Sequence, residues 1–356
     1  MAIGANDKVR VGIIGCGGIA NGKHFLGLKS VPEVDMVAFC DIIEERAQAA
    51  CKKYGTPDAK VYTDYKELLS DKSIDVVHVC TPNRSHSFIT VDALEAGKDV
   101  MCEKPMATTL EDCEAMVAAA RESGKRLMIG HNQRLAPAHK KAKELLTSGA
   151  LGRVITFQST FGHKGPEMWS MDKSANTWFF KKASASFGSM ADLGIHKIDL
   201  MRYLIGSEIT SVYSSMKVLD KKFPDGTPIE VDDNSVEVLT FANGALGVID
   251  NSRQAVYGYD QRVEAFGSKG MASDANDLLN TTTVLTKDGA HSEKPLWFFL
   301  ERYNQAFINQ VISFVDAINN DTQTAVGAID GLRPVLMAKA ATESCQAGGV
   351  FVKVSE

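Results

Sequence analysis

The sequence predicts an α/β domain built on a parallel sheet, followed by an α+β domain whose sheet is antiparallel or mixed. Three observations carry this. Up to residue 129, short continuous apolar runs alternate with stretches of helical composition; beyond residue 150, strand-like runs alternate apolar and polar residues and are joined by turns. The chain of 356 residues also exceeds the length over which one hydrophobic core keeps growing, so two domains are expected.

Runs at 9–14, 34–40, 76–80, 100–102 and 126–129 read as strands. They are continuous in valine, isoleucine and methionine, as parallel strands covered on both faces must be. Segments 44–54, 85–96 and 110–122 read as helices, with Gly97 and Gly124 where C-caps would fall. A linking helix over 136–146 precedes the change of character. Strands follow at 152–162, 209–218, 233–241, 245–252 and 261–266, and Asn243-Gly244 is a hairpin signal between two of them. Helices over 189–204, 301–319 and 331–345 are expected to pack against this second sheet.

Net charge of −5 speaks against a nucleic-acid partner, and no apolar run approaches the about 20 residues that cross a bilayer. Residues 1–8 hold no basic segment followed by an apolar stretch, so a cytoplasmic address is expected. Seven cysteines form an odd set without a C-x-x-C pair, which points to reduced thiols rather than a disulfide framework or a structural metal site.

Gly15-Cys16-Gly17-Gly18-Ile19-Ala20 matches G-x-G-x-x-A directly after strand 9–14 and directly before a helical stretch. Gly15 permits the tight turn, Gly17 lets a pyrophosphate approach the backbone, and small Ala20 lets helix and strand close together. The phosphates would then sit over Gly18 and Ile19 at the helix N-terminus. Asp41 ends the next strand, about 20 residues on, where a carboxylate accepts from ribose hydroxyls and repels a 2′-phosphate. NAD is therefore favoured over NADP. Arg46, one turn later, is either a cation within reach of a phosphate or a solvated helix residue.

Thr81-Pro82-Asn83 and Glu103-Lys104-Pro105 follow two further strands at the carboxyl edge, where open α/β sheets bind ligands. Asn83 either bonds the cofactor or caps the next helix, and Lys104 either points toward the nicotinamide end or is a surface lysine before a helix. Arg134, after the last strand of the first domain, either reaches cofactor or substrate or forms a hinge salt bridge. In the second half, Asp192 and His196 are four apart, so on a helix they share a face. A carboxylate beside an imidazole fixes its tautomer and suits a general base, with a structural pair as the alternative and Asp199 an equally placed partner.

Together these motifs resemble the Gfo/Idh/MocA family of sugar and cyclitol oxidoreductases, which takes in glucose-fructose oxidoreductase and inositol 2-dehydrogenase. The resemblance spans nearly the whole chain. It rests on Gly15 to Ala20, on Asp41, on Thr81-Pro82-Asn83 with His86, on Cys102-Glu103-Lys104-Pro105 and on Asp192-Leu193-Gly194-Ile195-His196. It implies a Rossmann domain over 1–133 and a substrate-binding and oligomerisation domain over 134–356 with an open, mainly antiparallel sheet. A candidate cis bond at Lys104-Pro105 is implied too. Cofactor contacts from Thr81, Asn83, His86 and Glu103 follow by the same resemblance. Lys104 would hydrogen-bond the reacting hydroxyl, His196 would remove its proton, and Asp192 would orient His196, with no metal.

Phe187-Gly188-Ser189 departs from the three small residues many members carry before the catalytic helix, which leaves the substrate's shape open. The aromatic stretch running from His163 to Phe180 suits the flat C–H face of a sugar ring, so Asn176 and Trp178 are candidate substrate contacts, with simple packing as the alternative. Tyr257 and Tyr303 are weaker pocket candidates. The resulting expectation is NAD-linked oxidation or reduction of a secondary hydroxyl on a sugar, cyclitol or glycoside, with C3 of an intact glycoside among the candidate positions, by a homo-oligomer. The alternatives are a glycosidase or redox-neutral oxidoreductase with tightly bound NAD, and a non-enzymatic sensor.

Overall fold

In the first unit, apolar side chains fill both faces of a sheet of six short strands: β1 (Val9–Ile14), β2 (Val34–Cys40), β3 (Lys60–Tyr62), β4 (Val76–Val79), β5 (Asp99–Cys102) and β6 (Leu127–Ile129). The computed structural model describes residues 8–165, 190–219, 222, 226 and 229–355. All six strands run parallel in the order β3-β2-β1-β4-β5-β6. Every residue of β4 and β5 is buried, and each large apolar side chain so buried is worth about 1.5–3 kcal/mol.

The order reverses between β1 and β4, which leaves their carboxyl ends side by side, and in open α/β sheets that is the ligand crevice. Helices Glu44–Tyr54, His86–Glu95 and Leu110–Ser123 match the expected ones within a residue or two. Leu110–Ser123 is capped by Thr109, whose Oγ1 accepts the Asp112 N–H at 3.1 Å, and it ends at Gly124 with φ +64°. The strand β3 and the helix Tyr65–Ser70 were not expected, because three residues carry no apolar run and six give no helical period.

The second unit holds a mixed, mainly antiparallel sheet of β7 (Val154–Gly162), β8 (Ile209–Lys217), β9 (Asn234–Phe241), β10 (Leu246–Ser252), β11 (Val263–Gly267), β12 (Gly270–Asp274) and β15 (Val352–Lys353). Its order is β12-β11-β7-β10-β9-β8-β15, and among the described residues only β7 and β10 pair in parallel. Asn243-Gly244 turns β9 into β10 as expected. One face packs Phe157, Val212, Leu239, Phe241 and Ile249 against Ile198, Met201 and Leu204 of the helix Ile195–Ile205 and Met337 and Ala341 of the helix Ala328–Gln346. The other face leaves Val236, Leu246, Val248, Phe266 and Met271 exposed. A separate hairpin, β13 (Thr283–Thr286) with β14 (Gly289–Ser292), is exposed throughout.

The units are not consecutive stretches of chain. Met1–Ala136 and Asn304–Val335 form one, Pro137–Tyr303 and Leu336–Glu356 the other, so the chain crosses between them three times, where a single cut between residues 133 and 134 was expected. The helix Asn304–Asn319, expected against the second sheet, belongs to the first unit. Its Phe307 and Phe314 rings lie 5.5 and 6.5 Å from those of His24 and His78, and a Cβ on Gly27 would sit 3.3 Å from the Phe307 carbonyl oxygen. The amphipathic pattern identifies a buried face but not the surface it meets. No helix among the described residues is long and apolar enough to cross a membrane.

Candidate active site

Where β1 ends, Gly15 takes φ +94°, and a Cβ there would lie 2.7 Å from the carbonyl carbon and oxygen of Cys80. Only glycine fits that approach. The turn is stitched to both neighbouring strands, since the Gly15 N–H donates to the Cys40 carbonyl and the Cys80 N–H to that of Ile14, both at 2.8 Å. A Cβ on Gly17 would meet nothing within 4 Å, Gly18 is exposed and Ile19 half-buried, so bare backbone faces open space, while Ala20 is fully buried against the strand. The chain then makes a π-helical turn, Ala20–His24, that runs into the helix Phe25–Lys29.

Asp41 is buried and holds the turn from the other side. Its Oδ2 accepts the Cys16 N–H at 2.8 Å and its Oδ1 the Ile43 N–H at 2.9 Å. Each oxygen keeps a further lone pair. The open backbone at Gly17 and a carboxylate at the end of the adjoining strand fit a dinucleotide's pyrophosphate and ribose. Arg46 is exposed on the first turn of Glu44–Tyr54. Burial, with Asp41 nearby, pushes the Cys16 thiol up to about 12, so this cysteine in the turn is no nucleophile at neutral pH.

After β4, the Thr81 hydroxyl accepts from Ser85 Oγ at 2.8 Å, and Asn83 opens a short 3-10 turn, half-buried. His86 lies behind this turn, buried, with one ring nitrogen 2.8 Å from the Thr81 carbonyl and the other 2.8 Å from that of Pro105. Burial pushes the His86 imidazolium below its ordinary range, against the pull of both carbonyls. The ring thus joins the two loops at the sheet edge, and its nitrogens are already engaged by backbone.

Glu103-Lys104-Pro105 follows β5, and the Lys104-Pro105 peptide is cis. Glu103 is buried. Burial alone would raise its pKa, but a hydrogen bond and charge from His24, the charge of Lys104 and the Lys104 N–H together hold it below the usual carboxylate range. An ionised carboxylate only accepts, so His24 donates from Nε2 to Oε1 at 2.7 Å, and the Lys104 N–H donates to Oε2 at 3.0 Å. The Lys104 side chain is half-buried. Arg134 is buried and donates from Nη2 to Asp330 at 2.9 Å, an ion pair within the first unit that ties the turn after β6 to the helix Ala328–Gln346.

In the second unit, His196 occupies the first turn of Ile195–Ile205, half-buried, with its ring 6.0 Å from that of Phe161. Asp192 lies in the π-helical turn Met190–Gly194 ahead of it. The Asp192 side chain, Asn176, Trp178 and the Phe187-Gly188-Ser189 step fall outside the described residues. Beyond Phe161, His163 stacks on Tyr259 at 6.4 Å. Tyr257 donates its hydroxyl to Asp260 at 2.6 Å, and Tyr303 is buried. Asp199 is buried on the same helix as His196.

Two residues were not singled out from sequence. His24 sits four positions past Ala20, and the signal that would have found it is a histidine on the dinucleotide helix. Lys197, next to His196, is wholly buried, its ammonium 5.3 Å from the Phe161 ring.

A six-stranded order reversing at β1 and β4, with a bare glycine turn at that reversal and a carboxylate at the end of the adjoining β2, defines a dinucleotide-binding unit. The chain matches the family described as "Oxidoreductase family, NAD-binding Rossmann fold" over residues 9–131 and "GFO/IDH/MocA C-terminal domain" over residues 139–273. It belongs to the Gfo/Idh/MocA family, and its cofactor is NAD. It is 36% identical over 341 residues to Uncharacterized oxidoreductase YrbE of Bacillus subtilis, covering 96% of this chain and 95% of that one. Against myo-inositol 2-dehydrogenase of Thermotoga maritima the figures are 34% over 340 residues, 95% and 96%. A solved structure described as a probable dehydrogenase from Thermotoga maritima aligns with a TM-score of 0.87 at 32% identity, covering 97% of this chain and 98% of that one.

Proposed function

We propose that the chain is an NAD-dependent dehydrogenase of a secondary hydroxyl on a polyhydroxylated ring, with a free cyclitol of the inositol kind as its first substrate. The observation that carries this is Lys104. It follows β5 at the same carboxyl edge as the glycine turn, on a backbone fixed by Glu103 and His86. The 34% identity to a myo-inositol 2-dehydrogenase supports a cyclitol as substrate.

When bound, NAD supplies the nicotinamide ring that accepts the carbon-bound hydrogen as hydride. Lys104 donates a hydrogen bond to the reacting hydroxyl oxygen and stabilises the negative charge that grows there as the proton leaves. His196 takes that proton, and Asp192 keeps the imidazole in the accepting tautomer. Gly15, Gly17, Gly18, Ile19 and Ala20 seat the pyrophosphate, Asp41 the ribose, and Thr81 and Asn83 border the same crevice. His86, Glu103 and Arg134 act on the cofactor through the loops they hold. Asn176 and Trp178 remain our candidates for gripping the ring. The proposal includes a homo-oligomer, supported by the exposed apolar face of the second sheet. It also includes a cytoplasmic address, supported by seven free cysteines.

A panel of cyclitols, free sugars and glycosides, each with NAD and with NADP, tests the reading. Expected is steady NADH release with myo-inositol and little turnover with NADP. Lys104→Ala and His196→Ala should each lower kcat by about 10²- to 10⁴-fold. Cleavage of a glycoside without NADH release would replace the reading with a redox cycle on retained NAD, and unchanged turnover in both variants would sink the residue assignment.

A further inference from the structure

We propose that His24 is a positioning residue for Lys104, clamping Glu103 so that the dinucleotide helix and the backbone of Lys104 move as one body. This rests on the role of Lys104 given above. His24 leaves the turn that follows the glycine loop, and Glu103 arrives 79 residues later at the end of β5; both are buried, and they meet at 2.7 Å. The carboxylate has no slack. Its Oε1 is held by His24 and its Oε2 by the Lys104 N–H, while a Cβ on Gly130 would already lie 3.2 Å from the Glu103 Cα, its Oε2 and the Lys104 nitrogen.

His24 is itself fixed, with the rings of His78 and Phe307 against it edge-on at 5.8 and 5.5 Å. Next along the chain, Pro105 has no N–H, and its carbonyl is met by His86 at 2.8 Å. The segment 103–105 is therefore pinned at one end by His24 through Glu103 and at the other by His86. Replacing a buried polar pair by apolar residues of similar volume is often neutral or stabilising, so stability alone gives no account of this contact. Cofactor bound at the glycine turn orders the helix that carries His24, and through Glu103 it orders the amide of Lys104.

Hydrogen exchange at the Lys104 amide reads this link directly, because that N–H is the one Glu103 accepts. In His24→Phe, which keeps a flat ring and loses the donor, the Lys104 amide is expected to exchange at least about tenfold faster, the loss that follows from one charge-assisted bond. Amides of β1 and β6 should be unchanged. In His24→Gln, whose amide nitrogen reaches the place of Nε2, exchange should stay near the parent value. Adding NADH should slow the Lys104 amide in the parent and in His24→Gln but not in His24→Phe.

A Lys104 amide that exchanges as in the parent in folded His24→Phe overturns the proposal. So does an acceleration shared equally by β1, which would mean general loosening. Turnover of myo-inositol by Lys104→Ala is measured alongside. If that variant is unimpaired, the chemical role of Lys104 falls, while the exchange result still decides whether His24 positions its backbone.

Discussion

Lys197 is wholly buried beside the proposed base, and burial, with Arg302 nearby, pushes its ammonium from an ordinary 10.5 down to about 7 against the pull of Asp274, Asp260 and Asp250. The folded protein releases this proton near pH 7, whereas the unfolded chain keeps it to about 10.5. Between those values the unfolded state binds more protons, so this group's contribution to stability rises with pH, and below pH 7 its cost is full and constant. In Lys197→Met the carboxylates keep partners, since Asp260 bonds Arg262 and Asp274 bonds Arg302. The variant should therefore be more stable than the parent at pH 6.5, on the order of a few kcal/mol, with the gain shrinking by pH 9.5. Thermal unfolding at both pH values checks this, and a gain that grows with pH would contradict it. Neither this lysine nor His24 was legible from sequence. What makes each unusual comes from far along the chain: the carboxylate of Glu103 that meets His24, and for Lys197 the burial and the repelling charge of Arg302.

The turn between β1 and the helix it feeds is the element on which the first unit depends most. Gly15→Ala would place a methyl group 2.7 Å from the Cys80 carbonyl at a φ of +94°, and backbone strain with overpacking costs about 2–6 kcal/mol. Urea unfolding of the variant measures it, and a midpoint equal to the parent's would mean that the β1 and β4 ends separate easily. This turn was readable because glycines, strand and Asp41 fall in one local pattern, as were β1, β2 and Glu44–Tyr54, whose apolar runs or helical composition are long. Elements without a run or a buried stripe were not readable: β3, and the fully exposed pair β13 and β14. Lys104 and Glu103 could be placed at a sheet edge from their position after a strand, yet the contact with His24 that holds Glu103 against the Lys104 backbone could not.

On the scale of the whole molecule, the exposed row of Val236, Leu246, Val248, Phe266 and Met271 is the surface for the proposed second copy. A stable interface of this kind buries about 800 Å² per partner. Val248→Glu with Phe266→Glu should lower the mass seen in sedimentation while leaving the unfolding midpoint of the separated subunit near the parent's; a parent that already sediments as a monomer would sink the idea. The way the chain divides has a consequence in time. The sheet from β1 to β6 is synthesised first, but the helix Asn304–Asn319 that packs on Phe25–Lys29 is made only after the whole of 137–303. At roughly 5–20 residues per second on the ribosome, the nucleotide-binding unit spends roughly 10–40 seconds with that flank bare, a nascent intermediate that has its glycine turn before it has its cover.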